Sequence, residues 1–206
     1  MALYDDLVSY WPLASASAIV PFADSGVGAL MVDNEGLWHF DNNANDTSGK
    51  SHNLTAYNAP TYVTGKVGTH AAQFDGVNQY FDVDLAGDAP TTNGTISCWF
   101  KINGTLTGGD IFGSVGSPAL TFGVWYHAVL TWSGTSVVMY LDGVAVPLLS
   151  GTVGALVTPE TTFSVAGRTD AGAYFTPCDV DEAAIWSRVL SAVEVAEIYA
   201  LQSGAV

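Results

Sequence analysis

Short apolar runs separated by Gly, Asn, Thr and Asp make up most of this chain. LVSYWPL, AAQFDG, QYFDVDL, GTISCWFKI, GDIFGSV, WYHAVLTWSGTSVVMYLDGVAV, TTFSVAG and DVDEAAIW each concentrate β-branched and aromatic residues between turn formers, the pattern of strands. In WYHAVLTWSGTSVVMYLDG two such runs flank SGT, which predicts a tight antiparallel hairpin, and LDGVAV places a second turn at Asp142-Gly143. The result is a β-meander. No strand leads into a helical crossover, so the pattern speaks against a parallel α/β sheet. Trp38, Trp99, Trp132 and Trp186 each lie inside an apolar strand and are expected in the core.

One segment near the end changes period. Ser191 and Glu194 have the spacing of a capping box, and Leu190 and Val195 that of a hydrophobic staple. Val195, Ile198, Tyr199 and Leu201 supply an apolar stripe, and Gly204 a stop, so a helix is expected over about Ser191 to Leu201. It would latch onto a sandwich.

Composition narrows the class of partner. The chain has 206 residues, 49% of them hydrophobic, enough for one domain with a proper core. Against 20 Asp and Glu stand only Lys50, Lys66, Lys101, Arg168 and Arg188, for a formal net charge of −15. Nucleic acid is excluded as a partner, because its binding rests on Lys and Arg displacing counterions from phosphates. The acids suit divalent cations or solubility. No run reaches the roughly 20 apolar residues of a membrane span, so no membrane insertion is expected. The opening MALYDDLVSYWPL carries two acids where a secretory signal would carry basic residues, and no signal peptide is visible. Cys98 and Cys178 are too few for a disulfide framework and read as buried free thiols or one bridge between neighbouring strands.

Five segments in order, FDGVNQYFDV, GTISCWFKI, GVWYHAVLTWSGTSVVMYLDGVAV, FSVAGR and DVDEAAIWSRVLSAVEVAEIY, resemble the laminin-G-like (LamG type 3) branch of the concanavalin A-like lectin/glucanase superfamily. The resemblance implies an all-β fold, a two-sheet antiparallel jelly-roll sandwich with one short C-terminal helix. It divides the chain into residues 1–35, an N-terminal strand or assembly arm, and residues 36–206, the laminin-G-like domain. Two departures stand out. LVSYWPL and GLWHFDNN both offer themselves as the opening strand, and the stretch between GDIFGSV and GVWYHAV is short for the family.

The loop DNNANDTSGKSHNL is dense in oxygen donors, yet it fails as an EF-hand, with Asp46 at the turn glycine and His52 at the bidentate glutamate. Asn, Asp, Ser and Gly also favour turns without any ion. The family resemblance implies one structural calcium ion between this loop and the acidic last strand: Asp46 and Asp181 would give carboxylates, and main-chain carbonyls near Ser48 to Lys50 would complete the shell. The superfamily's hydrolases share an E-x-D-x-x-E strand. Here simple alternation in DVDEA places Asp179, Asp181 and Ala183 on one face and Val180, Glu182 and Ala184 on the other, leaving both glutamate positions unfilled. Catalysis is not expected. His39, His52, His70 and His127 lack zinc-type spacing.

What remains is binding of carbohydrate or of a protein surface. Sugars need an aromatic face and planar hydrogen-bonding groups. Tyr57, Tyr80, Tyr174 and Phe175, with Arg168 and Asp170 of GRTDAGAYF, are the candidate ligand residues, with core packing as the alternative for each aromatic. A third class is structural. An acidic laminin-G-like body without a visible signal is similar to domains on bacteriophage particles, so a virion decoration or tail-associated protein, as a homo-oligomer or bound to a virion partner, stands beside the lectin reading. The expected location is extracellular or on a virion surface.

Overall fold

The computed structural model of the protein describes residues 29–104, 120–146, 151–152, 161–167 and 175–204. Among them lie twelve strands and one α-helix. The strands are β1 (Asn34–Trp38), β2 (Thr55–Tyr57), β3 (Thr61–Thr64), β4 (His70–Asp75), β5 (Tyr80–Asp84) and β6 (Asn93–Ile102), then β7 (Trp125–Ser133), β8 (Ser136–Leu141), β9 (Val144–Ala145), β10 (Gly151–Thr152), β11 (Thr162–Val165) and β12 (Pro177–Trp186). Helix α1 (Ala192–Ser203) closes the described chain.

The strands form two antiparallel sheets. The larger runs β10-β8-β7-β6-β12-β4-β3, with β1 added to β12 and β9 to β8; the smaller runs β11-β5-β2. The meander is present as expected: β7 and β8 close through Gly134-Thr135, with Ser133 opposite Ser136. Leu141 faces Val144 across Asp142-Gly143, both at positive φ (50° and 79°), the backbone a two-residue I′ turn demands. Among the described residues the first strand is β1, which includes the GLW of GLWHFDNN. LVSYWPL and GDIFGSV both lie outside the described residues. Leu30 and Asn34 already pack into the sandwich.

Between the sheets sits an apolar core of Trp38, Phe40, Phe74, Phe81, Val165, Val180 and their neighbours, with Trp38 stacked on Phe163 at 5.0 Å. A second cluster, including Leu37, Val129, Tyr140, Trp186, Leu190, Val195 and Ile198, lies between the large sheet's outer face and α1. All four tryptophans expected in the core are buried. Each such side chain removed from water contributes roughly 1.5–3 kcal/mol. Both cysteines are free: Cys178 is buried, Cys98 partly so.

The end of the chain folds as its caps dictate. Ser191 accepts from Glu194 N, and the Glu194 carboxylate accepts in return from Ser191 N at 2.7 Å. Gly204, at φ 75°, ends α1 two residues beyond the expected Leu201. One position was not expected: Gln202 is buried, accepting from Trp99 Nε1 at 2.8 Å and donating to Glu182 at 3.1 Å.

β12 departs from simple alternation. A bulge between Asp181 and Ala184, with Glu182 at φ 50°, shifts its phase. Ala183 and Ile185 therefore join Cys178 and Val180 in the inter-sheet core, while Ala184 turns toward α1. The expectation that Asp179, Asp181 and Ala183 share one face is corrected at Ala183.

Candidate functional site

The small sheet presents one apolar and one polar face. On β5, Phe81 and Val83 pack into the core, so Tyr80, Asp82 and Asp84 alternate onto the outer side. Register then fixes their neighbours. Tyr57 lies opposite Tyr80, Thr55 opposite Asp82, Ser164 opposite Asp82, and Thr162 opposite Asp84. The outer face thus carries an aromatic row, then the row Thr55–Asp82–Ser164, then Thr162 with Asp84.

Within the aromatic row Tyr57 and Tyr80 stack with centroids 4.4 Å apart and planes 3° from parallel. Phe175 leans on Tyr80 at 6.0 Å. Gly167 passes so close that a Cβ there would meet Tyr80 Cβ at 2.8 Å and Phe175 at 3.0 Å. Tyr57 stands on edge strand β2 and is 38% exposed. Tyr80 covers one ring face; beyond β2 this sheet has no further strand among the described residues. The Asp82 carboxylate holds the Tyr57 phenol above its ordinary pKa. Three of the expected ligand residues, Tyr57, Tyr80 and Phe175, are therefore brought together, while Arg168, Asp170 and Tyr174 lie outside the described residues. Asp82, Thr55 and Ser164 were missed, although the period-2 pattern of QYFDVDL already groups Tyr80 with Asp82.

The residues expected around calcium have other tasks in the structure. Asp46 Oδ1 accepts from Leu37 N (3.0 Å) and Ser48 N (2.8 Å), and Oδ2 from Ser48 Oγ (2.8 Å) and His52 N (2.9 Å). Burial would raise this carboxyl, but these hydrogen bonds outweigh it and hold the pKa below the usual range. Lys50 Nζ reaches Glu35 Oε2 at 2.7 Å. Asp181, fully buried in β12, accepts from Lys66 N (2.8 Å) and Val67 N (2.9 Å) through Oδ2. Asp46 and Asp181 thus bind different segments of chain. Among the described residues no three His, Cys, Asp or Glu side chains gather at metal-holding distance.

The outer face of the large sheet bears on hydrolysis. Asp179 is buried, its Oδ2 2.6 Å from Lys101 Nζ and its Oδ1 accepting from Asn103 (2.5 Å) and Gln73 (3.1 Å). Three donors thus share this carboxylate. Beyond the bulge, Glu182 Oε1 lies 2.6 Å from His39 Nδ1. Between Glu35, Asp88, Thr91, Thr92, Asn93 and Ser187 there is a polar cleft of about 280 Å³. Lys50 bridges its two acids, at 2.7 Å from Glu35 and 3.8 Å from Asp88.

Comparison with known proteins agrees with this architecture. The Laminin_G_3 family model, of the concanavalin A-like lectin/glucanases superfamily, matches residues 105–196. Domain 4 of AbnA, an extracellular arabinanase of Geobacillus stearothermophilus solved with arabinotriose, superposes with a TM-score of 0.64 at 17% identity, over 81% of this chain and 98% of that one. The binding domain of Paraclostridial Mosquitocidal Protein 1 gives 0.63 at 15%, over 82% of this chain and 52% of that one. A Trypanosoma rangeli sialidase mutant displaying trans-sialidase activity gives 0.66 at 16%, over 84% of this chain and 34% of that one. The chain thus spans nearly all of the arabinanase domain but about half and a third of the other two. No curated protein sequence matches it. At these identities the likeness is one of fold.

Proposed function

From a laminin-G-like antiparallel sandwich as premise, we propose that this protein is a non-catalytic carbohydrate-binding module, taking its ligand on the outer face of the three-stranded sheet at Tyr57 and Tyr80. The observation that carries the reading is the stacked tyrosine pair beside the Thr55–Asp82–Ser164 row. A pyranose or furanose offers an apolar patch of C–H groups to a ring face and a rim of hydroxyls to polar neighbours. The outer face has both kinds of partner side by side.

Support comes from two sides. The arabinanase domain, which this chain covers almost completely, was solved with arabinotriose. Against hydrolysis, neither glutamate position of the hydrolase strand is filled, and Asp179 is committed to Lys101, Asn103 and Gln73. The module's working place on this reading is outside the cell, as in the extracellular arabinanase.

The test is calorimetric titration with arabinotriose and a panel of oligosaccharides, repeated on Tyr57→Ala and Tyr80→Ala. Each variant is expected to weaken binding about tenfold or more, since a lost stacking surface worth ~1.4 kcal/mol is a factor of ten. A protein that binds no glycan and forms a symmetric multimer in light scattering supports the virion-component reading instead.

A further inference from the structure

We infer that the ligand is a neutral sugar presenting adjacent hydroxyls to Asp82, and that the same face turns away anionic sugars such as uronic and sialic acids. The inference rests on the carbohydrate reading and specifies its substrate class.

Asp82 occupies the middle of the outer face. Across from it on either side stand Thr55 and Ser164, each with a hydroxyl, and the Tyr57–Tyr80 stack borders the row. An ionised carboxylate only accepts hydrogen bonds, and its two oxygens offer about four lone-pair positions. The Tyr57 phenol takes one of these positions, and the others match two neighbouring sugar hydroxyls, which donate to the carboxylate while the ring lies against Tyr57. The flanking Thr and Ser hydroxyls either donate or accept and complete the contact for either orientation of the sugar's other groups. A carboxylated sugar brings a second negative charge to this position, where no Lys or Arg among the described residues is free to neutralise it.

The charge of the surroundings points the same way. On this face Asp84 follows Asp82, and every described cation is engaged elsewhere. Lys50 pairs with Glu35, Lys101 with Asp179, Arg188 with Glu194, and Lys66 lies over the Trp99 ring. The whole chain adds a formal charge of −15. Repulsion between an acidic sugar and this face is screened by salt, whose screening length is roughly 10 Å at 0.1 M.

Calorimetric titration of the full chain decides the matter with matched probes: arabinotriose and lactose as neutral sugars, trigalacturonic acid and 3′-sialyllactose as acidic ones. Neutral probes are expected to bind at least about tenfold more tightly than acidic ones at low salt, with the gap narrowing at high salt. Asp82→Asn, shown folded by its melting curve, should weaken the neutral probes and narrow the gap; Asp84→Asn should narrow it while sparing neutral binding. Acidic probes binding as well as neutral ones overturn the inference and leave the carbohydrate reading standing. Acidic binding that disappears in Arg168→Gln overturns it as well. Binding of no sugar at all overturns both readings.

Discussion

His39 Nδ1 lies 2.6 Å from Glu182 Oε1, on the segment where the β12 bulge brings Asp181 and Glu182 together beneath the outer surface of the large sheet. Burial alone would push the His39 imidazole down, but the hydrogen bond and charge of Glu182, with help from Asp41, hold it above its ordinary pKa. Burial pushes the Asp181 carboxyl up to about 8. Both groups bind their proton more tightly folded than unfolded, so the stability they contribute is complete at low pH. It is lost as pH rises, for Asp181 from its unfolded value up through about 8 and for His39 as pH passes its raised folded value. Asp41, Asp46 and Glu194 are held low and act oppositely, losing their contribution as pH falls through their depressed values.

Thermal melts should therefore peak at mildly acidic pH and decline toward pH ~8, by an amount on the order of a few kcal/mol. Asp181→Asn should flatten that decline and melt higher than the wild type on its alkaline side. A wild type that gains stability from about pH 5 to about pH 8 contradicts this account.

Ser191→Ala removes the acceptor for Glu194 N and the hydroxyl donor to the Glu194 carboxylate, leaving that carboxylate only the backbone N–H of residue 191 at the cap. The expected cost is about 1 kcal/mol in denaturant titration, with glycine at the same position costing only a few tenths. Equal midpoints for wild type and Ser191→Ala would show that the cap contributes nothing.

Gly167→Ala places a methyl 2.8 Å from Tyr80 Cβ, against the backbone end of the side chain, where it cannot swing aside. A loss of roughly 1–3 kcal/mol and a weaker glycan affinity are expected together, because the ring that yields is the one stacked on Tyr57. Gly87, whose added Cβ would meet nothing within 4 Å, is the control, expected within about 0.5 kcal/mol of wild type. Full glycan affinity in Gly167→Ala would separate Tyr80 from the ligand.

Asp46→Ala strips acceptors from the amides of Leu37, Ser48 and His52 and should cost roughly 2–4 kcal/mol. Because both oxygens of Asp46 already face N–H or O–H donors, melting curves in chelator and in millimolar calcium are expected to coincide. A rise with calcium that Asp181→Asn abolishes would restore the ion inferred from family resemblance.

The sequence was most readable where one local rule fixes the answer. The Asp142-Gly143 turn needs two positive φ angles, and the Ser191/Glu194 box needs only a spacing of three; both stand where expected. Of the site, Tyr57, Tyr80 and Phe175 were legible as candidate aromatics, but their assembly depends on the pairing of β2 with β5 and on Gly167 passing behind them. Strands β2 and β3, three and four residues long and mostly exposed at sheet edges, carry too little apolar pattern to announce themselves. The β12 bulge was hidden for a different reason. DVDEAAIW alternates equally well in either phase, and only the inter-sheet core's demand for Ala183 and Ile185 selects the shift. Gln202 lies beyond the expected end of the helix, and its partners Trp99 and Glu182 are distant in sequence, so nothing local announces its burial.

The central place of β12 in the large sheet also governs the order in which the molecule can be built. This strand pairs with β1, β4 and β6, and Asn34 meets Trp186 across most of the described chain. Until it is in place, β3-β4 is a lone hairpin, β6-β7-β8 a meander with one open edge, and β1 has no partner in the sheet. Closing such distant pairs demands a large loss of chain entropy before any reward, so folding is expected to be slow for the protein's size. During synthesis these partial sheets must wait, their edges open and their apolar faces prone to stick to one another, for a strand that leaves the ribosome last among them.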